Sequence, residues 1–213
     1  DAVFQRFYYS GRPLDSEESQ TGLGYRWVSN LDVRLRYANW KCSDGLYEWR
    51  SQRHVLQYPN GAQEDLGCWP LAARPGSPLS VTGGSDPDAL PADRANVIVK
   101  LPDLTTWEFE FDTHCNDYAL KRIADRTGRG VVIHRSHSSA SMHRILAVRD
   151  DTARDLLTFS YYVDTDGRRL LSSVTDVVSG RTITYTPGAD GPAAVSRINA
   201  PSTARWTYAY EGG

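Results

Sequence analysis

The sequence lacks an excess of charge of either sign. Its 213 residues carry 24 Lys and Arg against 26 Asp and Glu, which gives a formal net charge of -2. A nucleic-acid-binding surface needs a clustered basic excess, and attraction to an anionic membrane surface needs the same. The composition therefore argues against nucleic acid and against a charged membrane surface as partners.

Long apolar runs are also missing. No stretch approaches the roughly 20 apolar residues that a membrane-spanning helix needs, so membrane insertion is not expected. The sequence begins Asp1-Ala2-Val3-Phe4, without Met and without an apolar signal segment. A mature end after signal removal and an end cut from a longer chain both fit this start.

Cysteine is scarce, with three residues at positions 42, 68 and 115. No two of them are spaced as CxxC, which argues against a zinc knuckle. Cys42 and Cys68 flank a predicted hairpin whose turn lies near Pro59-Asn60-Gly61. This placement allows a disulfide between Cys42 and Cys68 in an oxidising compartment, and two free thiols remain the alternative. Cys115 is expected to be buried and free unless it pairs between chains.

The sequence also lacks the local motifs of common enzymes. It contains no Gly-x-Ser-x-Gly elbow, phosphate loop or dinucleotide fingerprint. His134, His137 and His143 include an HxxH spacing, but two histidines three residues apart share a face only on a helix. This region is predicted to be strand and turn, which favours histidines in a solvated loop over a metal site.

Glu108 and Glu110 share one face of a predicted strand, at a spacing that could suit paired carboxylates for glycoside hydrolysis. Their alternation with Trp107 and Phe109 favours a solvated outer face instead. The chain is accordingly predicted not to be an enzyme, with no catalytic residue, no cofactor and no metal.

Aromatic residues are abundant, with 12 Tyr, 6 Trp and 5 Phe beside a single Met. Aromatic and β-branched side chains fit the pleated, half-buried surface of a sheet. The segment Thr105–Phe111 (TTWEFEF) alternates strictly, with Trp107, Phe109 and Phe111 on one face. The fold class is therefore predicted to be all-β and antiparallel.

Three regions follow one another along the chain. Residues 1–70 are predicted to be an N-terminal antiparallel β region. Residues 71–95 contain four Pro and three Gly, which indicates a turn-rich connection. Residues 96–213 return to strand patterns and are predicted to form β-hairpin repeats.

The C-terminal region contains four similar units. Each unit is a short strand that ends at Asp or Asn, a polar turn, and a returning strand rich in β-branched and aromatic residues. One hairpin cannot bury its apolar face alone, so neighbouring units must pair or stack. A chance similarity within a plain meander is the alternative. The apolar anchors recur every 24 to 26 residues and are Ile123, Val148, Val174 and Ile198, followed by Asp125, Asp150, Asp176 and Asn199.

These units resemble the hairpins of the Rhs/YD-repeat family. The best copy runs from Gly167-Arg168-Arg169-Leu170 through Val174-Thr175-Asp176 to Gly180-Arg181-Thr182-Ile183-Thr184-Tyr185. The N-terminal half resembles the entry to such repeats at Gly22-Leu23-Gly24-Tyr25-Arg26-Trp27 and at Leu56-Gln57-Tyr58-Pro59-Asn60-Gly61. The resemblance covers most of the chain.

The resemblance implies a long β-sheet strip of the kind that often encloses a toxin or other cargo. About four units are too few to close a shell, and the aspartate-rich self-cleavage motif of many family cores is not recognisable. The chain is thus expected to be either a piece of a longer protein or a small relative that works as an open sheet.

Exposed aromatic side chains could stack on sugar rings or anchor an interface, and the alternative is that they fill the core. The candidate binding residues cluster in the N-terminal region and are Trp40, Trp49, Trp69, Tyr47 and Tyr58.

Together these patterns predict a secreted or cell-surface structural protein whose sheet edges pair with copies of itself or with further repeats. Such pairing would build a filament if it does not close. A carbohydrate-binding module and a fragment of a toxin-encapsulating shell are the alternatives.

Overall fold

Every regular element described in the computed structural model is a β-strand, and every pair of strands is antiparallel, as the composition predicted. No described helix is long and apolar enough to cross a membrane. The residues that the structure describes are 4–8, 27–43, 48–58, 62–67, 76–84, 94–112, 117–136, 144–163, 169–188, 191–198 and 204–207.

The strands are numbered in chain order. They are β1 Arg6–Tyr8, β2 Trp27–Ser29, β3 Arg34–Ser43, β4 Glu48–Gln57, β5 Gln63–Gly67, β6 Ser80–Gly83, β7 Val97–Lys100, β8 Thr106–Asp112, β9 Asp117–Ala124, β10 Gly130–Arg135, β11 Ile145–Asp150, β12 Asp155–Val163, β13 Arg169–Asp176, β14 Thr182–Gly188, β15 Gly191–Ile198 and β16 Ala204–Thr207.

The chain divides into two compact units, one of Val33–Val132 and one of Asp1–Asp32 with Ile133–Gly213. In the first unit, strands β6, β7, β8 and β9 pair in sequence order. Strand β6 lies within the Pro- and Gly-rich connection expected at 71–95, where Gly83 and Gly84 both take positive φ angles of 84° and 79° at its end.

Strand β9 is the centre of this unit because both of its edges are used. One edge pairs with β8, and the other pairs with β10 at Ile123↔Val131 and with β3 at Ala119↔Arg34. Strand β3 continues into a ten-residue hairpin with β4, and β4 pairs with β5. A long-range pairing of residues 34 and 119 therefore joins the N-terminal hairpin to the first repeat.

The core of this unit is apolar and comes from alternate strand positions, as period-two patterns dictate. Val97 and Val99 on β7 lie opposite Phe109 and Trp107 on β8, so the aromatic face of β8 is the face that packs inward. The fully buried apolar side chains are Val33, Leu35, Leu56, Leu66, Val97, Val99, Phe109, Tyr118 and Leu120, and His54 is buried with them.

In the second unit the strands follow sequence order without a crossover. Strands β11 to β16 pair each with the next, which gives the hairpin strip that the repeat pattern predicted. The anchors Val148 and Val174 are buried on this strip, with 1% and 3% of their surface exposed. Residue Asn199, the polar partner of the last anchor, lies outside the described residues.

The hairpin turns explain why Asp recurs with the anchors. In the β9–β10 turn, the Asp125 N–H donates to the Arg129 carbonyl at 2.8 Å, and the Gly128 N–H donates to the Asp125 carbonyl at 3.0 Å. Gly128 has a φ of 84°, so this is a type I turn followed by a left-handed residue. The β11–β12 turn repeats the arrangement with Asp150 and Ala153.

The carboxylate of each Asp completes its turn. Asp125 Oδ1 accepts hydrogen bonds from the Thr127 N–H and hydroxyl at 2.7 Å each. Asp150 Oδ1 accepts the same pair from Thr152 at 3.0 and 2.6 Å. The Asp176 turn is one residue longer, and its carboxylate accepts from Ser179 instead. These bonds are the local chemistry that a short polar side chain at a turn provides.

The first residues of the chain pack on this strip. Phe4 meets Phe159 on β12 edge-on, with ring centroids 5.4 Å apart. Asp32 is buried, and its Oδ2 accepts from the Ser29 N–H at 2.6 Å. The Tyr161 hydroxyl donates to the Ile145 carbonyl at 2.7 Å, and burial is the main cause that raises its pKa.

Candidate functional site

Of the five aromatic residues that the sequence singled out, Tyr58 is the one whose contacts the structure describes. The backbones of Trp40 and Trp49 lie in β3 and β4, opposite Ser51 and Cys42 respectively. Tyr47 and Trp69 lie outside the described residues. So does Cys68, and the Cys42–Cys68 disulfide therefore stays a prediction.

Tyr58 stands where β4 turns into β5. Its N–H donates to the Ala62 carbonyl at 2.9 Å, which closes the hairpin predicted at Pro59-Asn60-Gly61. Its ring meets Trp107 edge-on, with centroids 5.8 Å apart and planes at 62°. This is a preferred geometry for an aromatic pair, because the positive edge of one ring faces the negative face of the other.

The Tyr58 hydroxyl is hydrogen-bonded to a carboxylate. It donates to Glu64 Oε2 at 3.2 Å, and the Ser77 hydroxyl donates to Glu64 Oε1 at 2.7 Å. Both oxygens of Glu64 are therefore held by neutral hydroxyl donors. Within the part of the chain that the structure describes, Glu64 forms no ion pair with Lys, Arg or His.

The environment of Tyr58 keeps its hydroxyl protonated. Burial, together with the negative charge of Glu64 and the hydrogen bond to it, raises the pKa of Tyr58 to about 12. Tyr58 is consequently a hydrogen-bond donor over the whole physiological range.

Four separate segments assemble this group, which we call the Tyr58–Trp107 cluster and define as Tyr58, Glu64, Ser77 and Trp107. Tyr58 follows β4, Glu64 lies on β5, Ser77 precedes β6, and Trp107 lies on β8. All four side chains are partly exposed. The cluster thus combines two aromatic rings, one carboxylate and two hydroxyls at a surface.

Sequence reasoning found only part of this cluster. It named Tyr58 as a candidate and placed Trp107 on the aromatic face of β8, but it did not single out Glu64 or Ser77. Glu64 lies on the returning strand of the predicted hairpin. The sequence around it does not indicate its partners, because the packing of the sheet brings Tyr58 and Ser77 to it.

The paired glutamates of β8 have separate partners. Glu108 Oε1 accepts from Asn96 Nδ2 at 2.7 Å, and Glu110 forms an exposed ion pair with Lys121 at 3.2 Å. These contacts favour the outer-face interpretation that the alternation suggested.

The histidines do not form a metal site within the described residues. His134 lies on β10 and is partly exposed, whereas His137 and His143 fall outside them. No group of three or more His, Cys, Asp or Glu that could hold a metal occurs among the described residues.

Strands β1 and β2 form a separate two-stranded sheet, and three strands of the large sheet present edges. Among the described residues, β16 pairs only with β15, β6 only with β7, and β5 only with β4. The β4–β5 register shifts between His54 and Val55, which leaves Leu66 as an extra residue before Gly67. The β15–β16 register is regular from Ala194↔Thr207 to Arg197↔Ala204.

The sequence matches no protein-family model, and no curated protein is significantly similar to it.

Proposed function

We propose that this chain is a non-catalytic structural protein of the Rhs/YD-repeat kind, acting outside the cell, whose strip of hairpins extends by pairing with further hairpins or with other copies. The meander β11–β16, in which each strand pairs with the next in sequence, supports this proposal. Such a strip grows by adding hairpins at its edge and needs no change in the hairpins already present.

The single observation that carries the proposal is the edge of β16. This strand has a regular register with β15 and, among the residues described, no partner on its other side. A regular edge offers a row of backbone N–H and C=O groups to another strand. Edge strand β5 differs, because its bulge interrupts the row that an incoming strand would meet.

The mass of the chain in solution tests the proposal. Size-exclusion chromatography with light scattering over a range of concentrations is expected to show particles larger than the 23.8 kDa monomer. Negative-stain images are expected to show open, filament-like particles, because head-to-tail edge pairing that does not close continues from copy to copy. A monomer at every concentration would contradict edge pairing between copies.

A pair of proline variants locates the surface. The N–H groups of neighbouring strand residues point to opposite edges of the strand. One of the two variants Arg205→Pro and Trp206→Pro therefore removes an N–H donor on the free edge of β16. The other variant removes a hydrogen bond to β15. The variant that removes the outward donor is expected to keep the melting temperature that the parent has at high dilution and to lose association. If both variants fold and both still associate, β16 is not the interface.

A carbohydrate-binding module is the second candidate, and the half-exposed Tyr58–Trp107 pair is the observation that supports it. Aromatic rings at a surface present apolar faces on which sugar rings stack. Binding on a glycan array that is lost in Trp49→Ala would support this function for the N-terminal aromatic residues, and binding lost in Trp107→Leu would place it at the cluster.

A further inference from the structure

Glu64 is a carboxylate held at both oxygens by neutral donors. It is partly buried on β5, and its two oxygens accept hydrogen bonds of 3.2 and 2.7 Å from the hydroxyls of Tyr58 and Ser77. Those donors fix the orientation of the carboxylate but do not neutralise it. No cationic side chain among the described residues pairs with it.

Two acidic side chains of the same unit have cationic partners and so differ from Glu64, whereas Glu108 accepts from the neutral amide of Asn96. Glu110 pairs with Lys121, and Asp117 lies 3.4 Å from the Arg36 Nε. A partly desolvated negative charge is stabilised by a nearby cation. The setting of Glu64 is therefore complementary to a positive charge supplied from outside the described residues.

The aromatic rings add a second attraction for the same kind of ligand. Trp107 meets Tyr58 edge-on, and Tyr58 reaches Glu64 through its hydroxyl, so the two rings and the carboxylate are contiguous. The face of an indole or phenol ring attracts a cation, and organic ammonium groups are bound by combinations of such rings. An ammonium with methyl or methylene groups is attracted both by the ring faces and by the negative charge of the carboxylate.

We propose that Tyr58, Glu64 and Trp107 form a binding site for an organic ammonium group, of the type carried by a lysine side chain or by choline. In this site Glu64 supplies the countercharge, Trp107 supplies the ring face, and Tyr58 and Ser77 hold the Glu64 carboxylate in position. The site uses no residue of β16, and the proposal does not depend on assembly of the chain.

The raised pKa of Tyr58 agrees with this arrangement. Because that pKa is about 12, Tyr58 holds Glu64 as a neutral donor and adds no second negative charge to the site. Titration of Tyr58 is therefore not expected to change binding between about pH 7 and pH 9.

Titration calorimetry of the full chain with choline chloride, against sodium chloride at equal ionic strength, tests the proposal. Choline is expected to bind, and Glu64→Gln is expected to weaken its binding about tenfold. Gln keeps an oxygen that accepts from Ser77 or Tyr58, so this variant is expected to fold. Glu110→Gln, which removes an exposed carboxylate from the same unit, is the matched control and is expected to bind choline as the parent does.

Two further probes separate this site from its alternatives. Tyr58→Phe keeps the ring and removes the hydroxyl that positions Glu64, so it is expected to weaken choline binding less than Trp107→Leu, which is expected to lose it. Proton NMR shifts of the choline methyl groups report ring contact in any variant that folds.

Several results would overturn the proposal. One is the absence of choline binding in the folded parent. Another is equal choline binding by Glu64→Gln and Glu110→Gln. Binding of a neutral sugar, methyl glucoside, titrated in place of choline would also overturn it and would support the carbohydrate function at this cluster.

Discussion

At the scale of single residues, two turns hold a side chain where the backbone favours glycine. Leu104 and Ala153 have φ angles of 68° and 63°, in the left-handed region. Ala153 occupies the position that Gly128 occupies in the neighbouring hairpin, with the same hydrogen bond back to the Asp of its turn. The hairpin therefore requires a left-handed backbone conformation at this turn position, whether the residue is Gly128 or Ala153.

We expect Ala153→Gly to stabilise the protein. The left-handed conformation costs a residue with a Cβ about 1 to 2 kcal/mol, and the greater freedom of Gly in the unfolded chain cancels about half of the gain. The net increase in the free energy of unfolding should be about 0.5 to 1 kcal/mol in a urea titration.

Gly128→Ala is the matched control for that variant. An added Cβ at Gly128 meets no atom within 4 Å, so its cost is one of backbone conformation and not of crowding. We expect it to lower the free energy of unfolding by about 1 kcal/mol. Equal stability of both variants with the parent would show that these turns relax away from the left-handed region.

His54 is a buried base at the centre of the Val33–Val132 unit, with 1% of its surface exposed. Burial, with a smaller contribution from the positive charge of Arg94, lowers its pKa from 6.5 to about 4. Between these two values the unfolded chain binds a proton that the folded chain excludes, so the protein loses stability as the pH falls from about 7 to about 4.

The loss attributable to His54 should reach at most about 3 kcal/mol at pH 4. In His54→Phe, which keeps a ring near Tyr118, the free energy of unfolding is expected to be much flatter between pH 7 and pH 4.5. Urea titrations at these two pH values measure the difference. If the free energy of unfolding of the variant falls with pH as steeply as that of the parent, another group titrates in this window.

At the scale of elements, the turn carboxylates connect local chemistry to the repeat. Hydrogen bonds from Thr127 and Arg129 lower the pKa of Asp125, those from Thr152 and Arg154 lower that of Asp150, and those from Ser179 and Val178 lower that of Asp176. A depressed carboxyl pKa contributes stability that is present above the unfolded value of 3.8 and is lost as the pH falls through the folded value.

We therefore expect a second acid transition below about pH 4, separate from that of His54. The variant Asp150→Asn keeps an oxygen that accepts from Thr152 but cannot ionise. Its melting temperature should depend less on pH between 4 and 2.5 than that of the parent. Thr152→Val, which removes the hydroxyl donor alone, should lower the melting temperature at pH 7 and have a smaller effect at pH 2.5.

The hairpins themselves were predictable because their signals are local. Alternation in β8, the Asp-containing turns and the 24- to 26-residue recurrence each depend on residues close in sequence. The pairing of β3 with β9 was not predictable, because nothing near Arg34 indicates that Ala119 is its partner. The short strand β6 was also not predicted, because the prolines and glycines of its segment indicate turns.

The same limit applies to the candidate site. Tyr58 was found because aromatic residues are conspicuous at a hairpin, and Trp107 was assigned to the correct face of its strand. Their contact joins residues 49 positions apart, and Glu64 and Ser77 enter only through the packing of β5 and of the segment before β6. Sequence patterns give the faces of strands, but not which faces meet.

At the scale of the whole molecule, edge pairing links stability to concentration. A partner that binds the folded chain and not the unfolded chain raises the melting temperature by mass action. If copies pair through β16, the midpoint of thermal unfolding should rise as the concentration of the chain is increased. Tenfold above the dissociation constant of the contact, the gain is about 1.4 kcal/mol.

The β16 proline variant that keeps its monomer fold provides the comparison. Its melting temperature should be independent of concentration and should equal that of the parent at high dilution, because only the contact between copies has been removed. Calorimetry over a hundredfold concentration range distinguishes the two behaviours. A parent midpoint that does not move with concentration, together with a mass near 24 kDa, would show that the β16 edge is covered within the chain, and the function would then have to lie in binding at its surface.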